Sequence, residues 1–251
     1  ANPLITTREN GAASGTPATI RINGSNNAAI DVSDFLLATA GNVITGNGTG
    51  QTHNGTAGND TINALGGNDT VNGNAGDDTI VGGTGNDTLN GNAGDDTFVW
   101  NAAGPDGRDV VNGGAEGGAG DIFVINGTTG AEQYFVYTRA AWDALPGNST
   151  AGFNAGTEIV VTRNGTGAAN IIAELREIEE IRINGADPSA SGGSAGGDTF
   201  TVVGDFSGTS LRPNTVTMIG GGGDDTVDIS GLASVHSIKF TSNGGSDRLV
   251  G

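Results

Sequence analysis

Large apolar residues recur along part of this chain at a fixed interval. Ile62, Val71, Ile80, Leu89 and Phe98 stand nine residues apart, each directly preceded by threonine and set among glycine, asparagine and aspartate. A β-favouring pair with one apolar member predicts a short strand whose threonine points outward and whose apolar side chain points inward. A strict period predicts one unit stacked on copies of itself. A flattened roll needs a turn at each end, so two units make a coil and residues eighteen apart stack. Elsewhere the pattern predicts strands at Thr19–Asn23, Tyr134–Tyr137, Glu158–Thr162, Ile171–Leu175 and Ile178–Ile183, and a helical turn over Arg139–Leu145 before Pro146. Asn-Gly pairs at 126, 164 and 184 punctuate these segments.

Two residues before each periodic apolar side chain stands an aspartate: Asp60, Asp69, Asp78, Asp87 and Asp96. The unit reads G-(G/N)-x-G-(N/D)-D-T-U-x, with U a large apolar residue. Its glycines allow backbone angles that a Cβ would forbid and turn carbonyls toward one point. Carbonyl and carboxylate oxygens together suit calcium, which takes six to eight oxygen ligands. One side of the roll then carries Asp60, Asp78 and Asp96, and the other Asp69 and Asp87. Strands about 4.8 Å apart would let successive aspartates reach one ion. The residues just before them (Asn59, Asn68, Asp77, Asn86, Asp95) vary in charge and read as solvated.

These five phrases resemble the RTX, or hemolysin-type, calcium-binding nonapeptide repeat. The resemblance implies an all-β fold, a parallel β-roll or β-solenoid with calcium in the turns; the crossover rule makes right-handed coiling the default. It also implies that each ion is held by two turns, through aspartates and glycine-turn carbonyls. Carried over, ions lie between Asp60 and Asp78, Asp78 and Asp96, and Asp69 and Asp87, with Gly58, Gly67, Gly76, Gly85 and Gly94 shaping the turns. Degraded phrases place further metal ligands at Asp109, Asp121, Asp198 and Asp225. Asp225 reads as an isolated repeat, without a partner nine or eighteen residues away. RTX proteins are exported unfolded by type I machinery that reads a C-terminal signal. The resemblance therefore implies a secreted, extracellular or cell-surface bacterial protein. The second half also resembles tails of long bacterial RTX proteins, some attached to haem-peroxidase domains, through EIVVTRNG, AELREIEEIRING and DTFTVVGDF.

Three segments follow. Residues 1–45 lack the repeat and read as an N-terminal cap or the end of an upstream domain, with the cap preferred. Residues 46–125 read as the roll, with a bulge around Trp100. Residues 126–251 read as an irregular solenoid with degenerate repeats. The chain stops inside a repeat-like phrase, Ser246 to Gly251, and reads as a fragment of a longer protein.

Composition narrows the partners. A net charge of −18, with Lys239 the only lysine, argues against nucleic acid, whose phosphates need Lys and Arg. No apolar run is long enough to span a bilayer. Cysteine is absent, leaving metal to take the stapling role of disulfides. His53 and His236 are the only histidines, so neither a hydrolase triad nor a zinc site is expected, and both read as surface or packing residues. Glu174, Glu177, Glu179 and Glu180 form the densest other acidic group and read as a solvated edge. Asp187-Pro188 reads as a turn. Trp100, Trp142, Tyr134 and Tyr137 suit either coil filling or stacking on sugar rings.

The reading is thus a calcium-responsive, non-enzymatic module. The alternative is an adhesion module binding extracellular polysaccharide. A polysaccharide-acting enzyme, or a fragment of an RTX haem peroxidase, stands behind both.

Overall fold

The computed structural model describes residues 41–148, 152–185 and 196–251. The strand expected at Thr19–Asn23, most of the segment 1–45, and Asp187-Pro188 lie outside the described residues.

The chain winds between two sheets. The first stacks β1 (Val43–Asn47), β3 (Thr61–Leu65), β5 (Thr79–Val81), β7 (Thr97–Asn101), β9 (Ile122–Asn126), β13 (Glu180–Asn184), β15 (Val216–Ile219) and β17 (Ile238–Thr241). All its pairings are parallel. The second holds β2 (Thr52–Asn54), β4 (Thr70–Ala75), β6 (Thr88–Ala93), β8 (Asp109–Ala115), β12 (Ile171–Arg176), β11 (Ile159–Arg163), β10 (Gln133–Thr138), β14 (Thr199–Gly204), β16 (Thr226–Leu232) and β18 (Arg248–Val250), in that spatial order. Consecutive strands of the repeat block alternate between sheets, which makes the fold a parallel β-roll.

The inward apolar residues form continuous columns. On the first sheet Ile44, Ile62, Ile80, Phe98, Phe123, Ile181, Val216 and Ile238 stand in register from coil to coil. On the second, His53, Val71, Leu89, Val111 and Leu175 continue one column, and Tyr134, Phe200, Val227 and Leu249 another. Most of these side chains join a single buried core. His53 fills an apolar position, so Gln51-Thr52-His53 is a degenerate repeat that begins the second column. Trp100 corrects the expected bulge: it lies in β7, buried in the core and paired with Ile125, and the detour begins after Asn101.

One strand breaks the parallel rule. β11 runs antiparallel between β10 and β12, and carries a register shift at Val161/Thr162. The helix α1 (Arg139–Asp143), at the expected helical turn, is capped by the Thr138 hydroxyl. It packs Trp142 into a second cluster with Tyr137, Val160 and Ile171, on the face of the sheet turned away from the main core. Burial on both faces explains why β11 reads as a continuous apolar run rather than an alternating one.

The turns demand left-handed backbone at two places. Four residues before the aspartate of successive units stand Leu65 (φ 71°), Asn74 (φ 80°), Gly83 (φ 89°) and Asn92 (φ 78°). Glycine and asparagine tolerate this region; a half-exposed leucine gains nothing there that offsets its strain. Leu65→Asn is expected to stabilise the calcium-loaded chain by about 1 kcal/mol. Thermal unfolding measures it, and an unchanged or lowered melting temperature would count against this account of the turn.

Candidate metal centre

The repeat aspartates end each turn and open each strand. Their placement creates a ladder of unusual regularity. At one edge of the roll the backbone N–H of Asp60 donates to Oδ1 of Asp78, that of Asp78 to Asp96, and that of Asp96 to Asp121, at 2.7, 2.8 and 2.7 Å. At the other edge Asp69 donates to Asp87 and Asp87 to Asp109, at 2.7 and 3.0 Å. Gln51 and Asn42 begin these ladders, donating to Asp69 and Asp60. In the second half Glu132 donates to Asp198, Asp198 to Asp225, and Asp225 to Asp247, at 2.8, 2.8 and 2.9 Å.

Asp225 is therefore not isolated, as its sequence spacing suggested. It stands between partners 27 and 22 residues away, because the coils of the second half are longer than eighteen residues. Glu179 also departs from expectation. It is buried, and its Oε2 accepts the N–H of Asp121 at 2.7 Å, so it extends the first edge instead of lining a solvated face. Glu174 is buried too, but its carboxylate is fully engaged by Arg108, Asn154 and Thr157. Glu177 and Glu180 flank these positions, Glu180 pairing with Arg182. The residues before the aspartates form an outer ladder of their own: Asp77 N–H donates to Asn59, Asp95 N–H to Asp77, and Asn86 N–H to Asn68. Asn59, Asn68, Asp77 and Asn86 are exposed as expected, and Asp95 is half-buried.

Each ladder uses one carboxylate oxygen and leaves the other alone. Oδ2 of Asp69, Asp78, Asp87, Asp96, Asp121, Asp198 and Asp225 is buried without a hydrogen-bond partner, as is Oε1 of Glu179. The nine ligands expected from sequence, Asp60 through Asp225, are each at most 2% exposed. An unpaired buried carboxylate is among the costliest groups a fold can hold. Stacking like charges one above another adds repulsion. A cation removes both penalties.

Glycines five residues before the aspartates keep the space open. A Cβ at Gly73, Gly82 or Gly91 would collide with Oδ2 of Asp78, Asp87 or Asp96. A Cβ at Gly73 would also stand 2.7 Å from the carbonyl oxygen of Gly91, and one at Gly91 equally close to that of Gly113. Carboxylate and turn carbonyls thus gather at the same cradle. Of the five expected turn glycines, Gly67, Gly76, Gly85 and Gly94 have φ between 103° and 133°; Gly58 does not share that conformation. The sequence reading named this set and missed the second one, whose role is room for oxygen atoms rather than chain reversal.

Among the described residues no three His, Cys, Asp or Glu side chains converge. Two carboxylates per turn pair need backbone carbonyls to complete a coordination shell, which suits calcium and not a thiolate- or imidazole-loving metal. His236 bonds the Leu211 carbonyl and packs beside Phe206, while His53 packs in its column.

The family model for the RTX calcium-binding nonapeptide repeat matches in four copies, over residues 45–80, 54–89, 72–99 and 216–228. The comparison with curated proteins gives no match. These matched segments are RTX repeats, which build β-rolls and bind Ca²⁺.

Two outcomes follow from the ladder. Burial first, then repulsion from neighbouring carboxylates, pushes the carboxyls of Asp78, Asp87 and Asp96 up to about 6, those of Asp121 and Asp198 to about 7, and that of Asp109 to about 9; ladder N–H bonds oppose the rise. At Asp60 burial also pushes upward, but N–H bonds from Asn42 and Thr56 outweigh it and hold the group low. A raised folded-state value means that ion-free stability is fully present below the ordinary carboxylate range near 4 and is lost as pH climbs through about 6 to 9. Calcium must displace those protons. The calcium midpoint of folding should therefore rise as pH falls from 7.5 to 5.5, with protons released on binding. A midpoint independent of pH would show that the carboxylates are not buried and coupled in this way. Separately, Gly91→Ala should weaken calcium-dependent folding by roughly 1–3 kcal/mol through overpacking, whereas Gly118→Ala, which meets nothing within 4 Å, should not. Equal midpoints for the two variants would discard the cradle.

Proposed function

We propose that this RTX chain is the calcium-responsive folding and stabilising module of a secreted bacterial protein, exported unfolded through type I machinery and folded outside the cell. The single observation that carries the reading is the row of buried carboxylate oxygens without hydrogen-bond partners at Asp69, Asp78, Asp87, Asp96, Asp121, Asp198 and Asp225. Where calcium is scarce, the acidic turns repel one another and the glycine-rich chain keeps its conformational entropy. Where calcium is abundant, ions bind only the folded coils and shift the equilibrium by mass action.

In this reading Asp60, Asp69, Asp78, Asp87 and Asp96 supply the ions of the regular block. Asp109 and Asp121 extend its two edges, and Asp198 and Asp225 form a further set. Each ion bridges two coils, so a ligand in mid-ladder serves two ions and binding is cooperative. RTX repeat domains are structural calcium-binding modules, and no catalytic step is required of this one.

A polysaccharide-binding role is the second reading. Its supporting observation is a cavity of about 410 Å³ where the roll meets its inserted strands, lined by Asn86, Arg108, Arg163, Asn164 and Asn170. The aromatic residues weaken it: Trp100 borders the cavity but is only 2% exposed, and Trp142 is fully buried, so neither presents an open ring face to a sugar.

The test is circular dichroism and thermal unfolding of the chain with saturating calcium and with excess chelator. Chelation should abolish most of the β signal in a cooperative step. Asp78→Ala should shift the calcium midpoint further than Asp69→Ala, because Asp78 has acidic rungs on both sides and Asp69 follows Gln51. An unchanged spectrum and melting temperature in chelator would falsify the calcium-folding role.

A further inference from the structure

The first edge of the roll does not stop where the repeat stops. Asp121 closes the last turn of the regular block, and the chain then leaves on a long excursion through β9, β10, α1, β11 and β12. It returns at Glu179, 58 residues later, directly above Asp121. No nonapeptide is present there. Glu179 carries one more methylene than aspartate, and the residue before it is Ile178 rather than asparagine or aspartate.

Even so, the atoms repeat those of the rungs below. Glu179 Oε2 accepts the Asp121 N–H at 2.7 Å, as Asp121 Oδ1 accepts that of Asp96. Oε1 of Glu179 and Oδ2 of Asp121 are both unpartnered, in residues 2% and 0% exposed. The carbonyl pattern continues as well. Gly73 abuts the Asp78 carboxylate and the Gly91 carbonyl; Gly91 abuts the Asp96 carboxylate and the Gly113 carbonyl; Gly113 abuts the Asp121 carboxylate and the carbonyl of Glu177. Glu177 reaches that place with a positive φ of 51°, a conformation otherwise met in these turns at glycine and asparagine, with Leu65 the exception. The non-repeat turn 177–179 therefore supplies both a carboxylate oxygen and a backbone carbonyl where the next RTX turn would have supplied them.

Arg212 lies beside this turn without filling it. Its guanidinium bonds the carbonyls of Gly118 and Ala119 and pairs with Glu116, and it makes no hydrogen bond with either unpartnered oxygen.

We propose that Asp121 and Glu179, with the Glu177 carbonyl, form a divalent-cation site that clamps the start of the excursion to its end. The inference rests on the calcium reading above. Its consequence is distinct: calcium does not act on the repeats alone, but also closes the loop that contains the inserted strands. Because the ion binds only when residues 121 and 179 are already together, its binding free energy offsets the entropy cost of closing the loop between them. The cluster around Trp142 should then respond to calcium although no RTX repeat contributes to it.

The experiment counts calcium ions bound per chain by equilibrium dialysis, for the unaltered chain, Glu179→Gln and the neighbouring control Glu180→Gln. Glutamine keeps an amide oxygen for the Asp121 N–H and removes the charge. Glu179→Gln should bind one ion fewer, while Glu180→Gln matches the unaltered chain. Equal counts in all three overturn this site and leave the repeat sites standing; no calcium bound by the unaltered chain overturns the underlying reading instead. Should Glu179→Gln fail to fold, hydrogen exchange on the unaltered chain decides. Amides of 113–121 and 176–184 should gain protection over the same calcium range as those around Asp78 and Asp96. Protection of the repeat amides alone would overturn the proposal.

Discussion

Everything in this fold is arranged around carboxylates that are buried and only half satisfied. One oxygen of each ladder acid takes a backbone N–H from the coil before it, which fixes the side chain and the spacing of the coils. The other oxygen points into a cradle that glycine keeps empty. Hydrogen bonds alone leave this arrangement in debt, since one N–H per carboxylate does not offset desolvation and the repulsion of stacked like charges. The apolar columns cannot cover the deficit by growing, because each nine-residue unit contributes one large inward side chain. The turn is thus built to suit a divalent cation, and the net charge of −18 is in keeping with it.

The acid was legible in the sequence wherever the period held. Five aspartates at intervals of nine imply the two edges, the eighteen-residue coil and the inward column, and the strand pairing carries these through to Ile80 on Phe98 and Val71 on Leu89. Longer coils hid the rest. Asp109, Asp121, Asp198 and Asp225 were found because they keep an aspartate two residues before a large apolar side chain. Glu132 and Glu179 obey that same phrase with glutamate, before Tyr134 and Ile181, and were missed because glycine and aspartate no longer mark them. The surviving signal is an acidic residue, one residue of any kind, then an inward apolar one at the start of a strand. Period and glycine content are the dispensable parts; the acid-to-core spacing is fixed by strand geometry.

Where the roll is interrupted, arginine enters. Glu132 heads the second-half ladder, and its carboxylate is taken up by Arg163, Thr128 N–H and the Tyr134 hydroxyl. Glu174, at the junction of β12 and β8, is taken up by Arg108. Neither acid has an unpartnered buried oxygen. A guanidinium offers a planar fork of donors that matches a carboxylate and cannot lose its charge. It therefore does for a single buried glutamate what a metal ion would do for a stacked pair. The difference lies in control: an arginine is present whenever the chain is, whereas an ion depends on the surroundings.

That contrast divides the molecule by how its charges are neutralised. Around the antiparallel strand β11 the acids have internal partners, and Tyr137, Trp142 and Val160 give the insertion a core of its own. Along both edges of the regular block, and from Asp198 onward, the acids face one another with no arginine among them. Glu179 stands on the boundary. It belongs by sequence to the insertion and by geometry to the ladder, with Arg212 close by but bonded elsewhere. The unbalanced carboxylates thus lie along the edges, while the insertion is balanced from within. On the proposal made above, that rung is what would make the two fold as one unit.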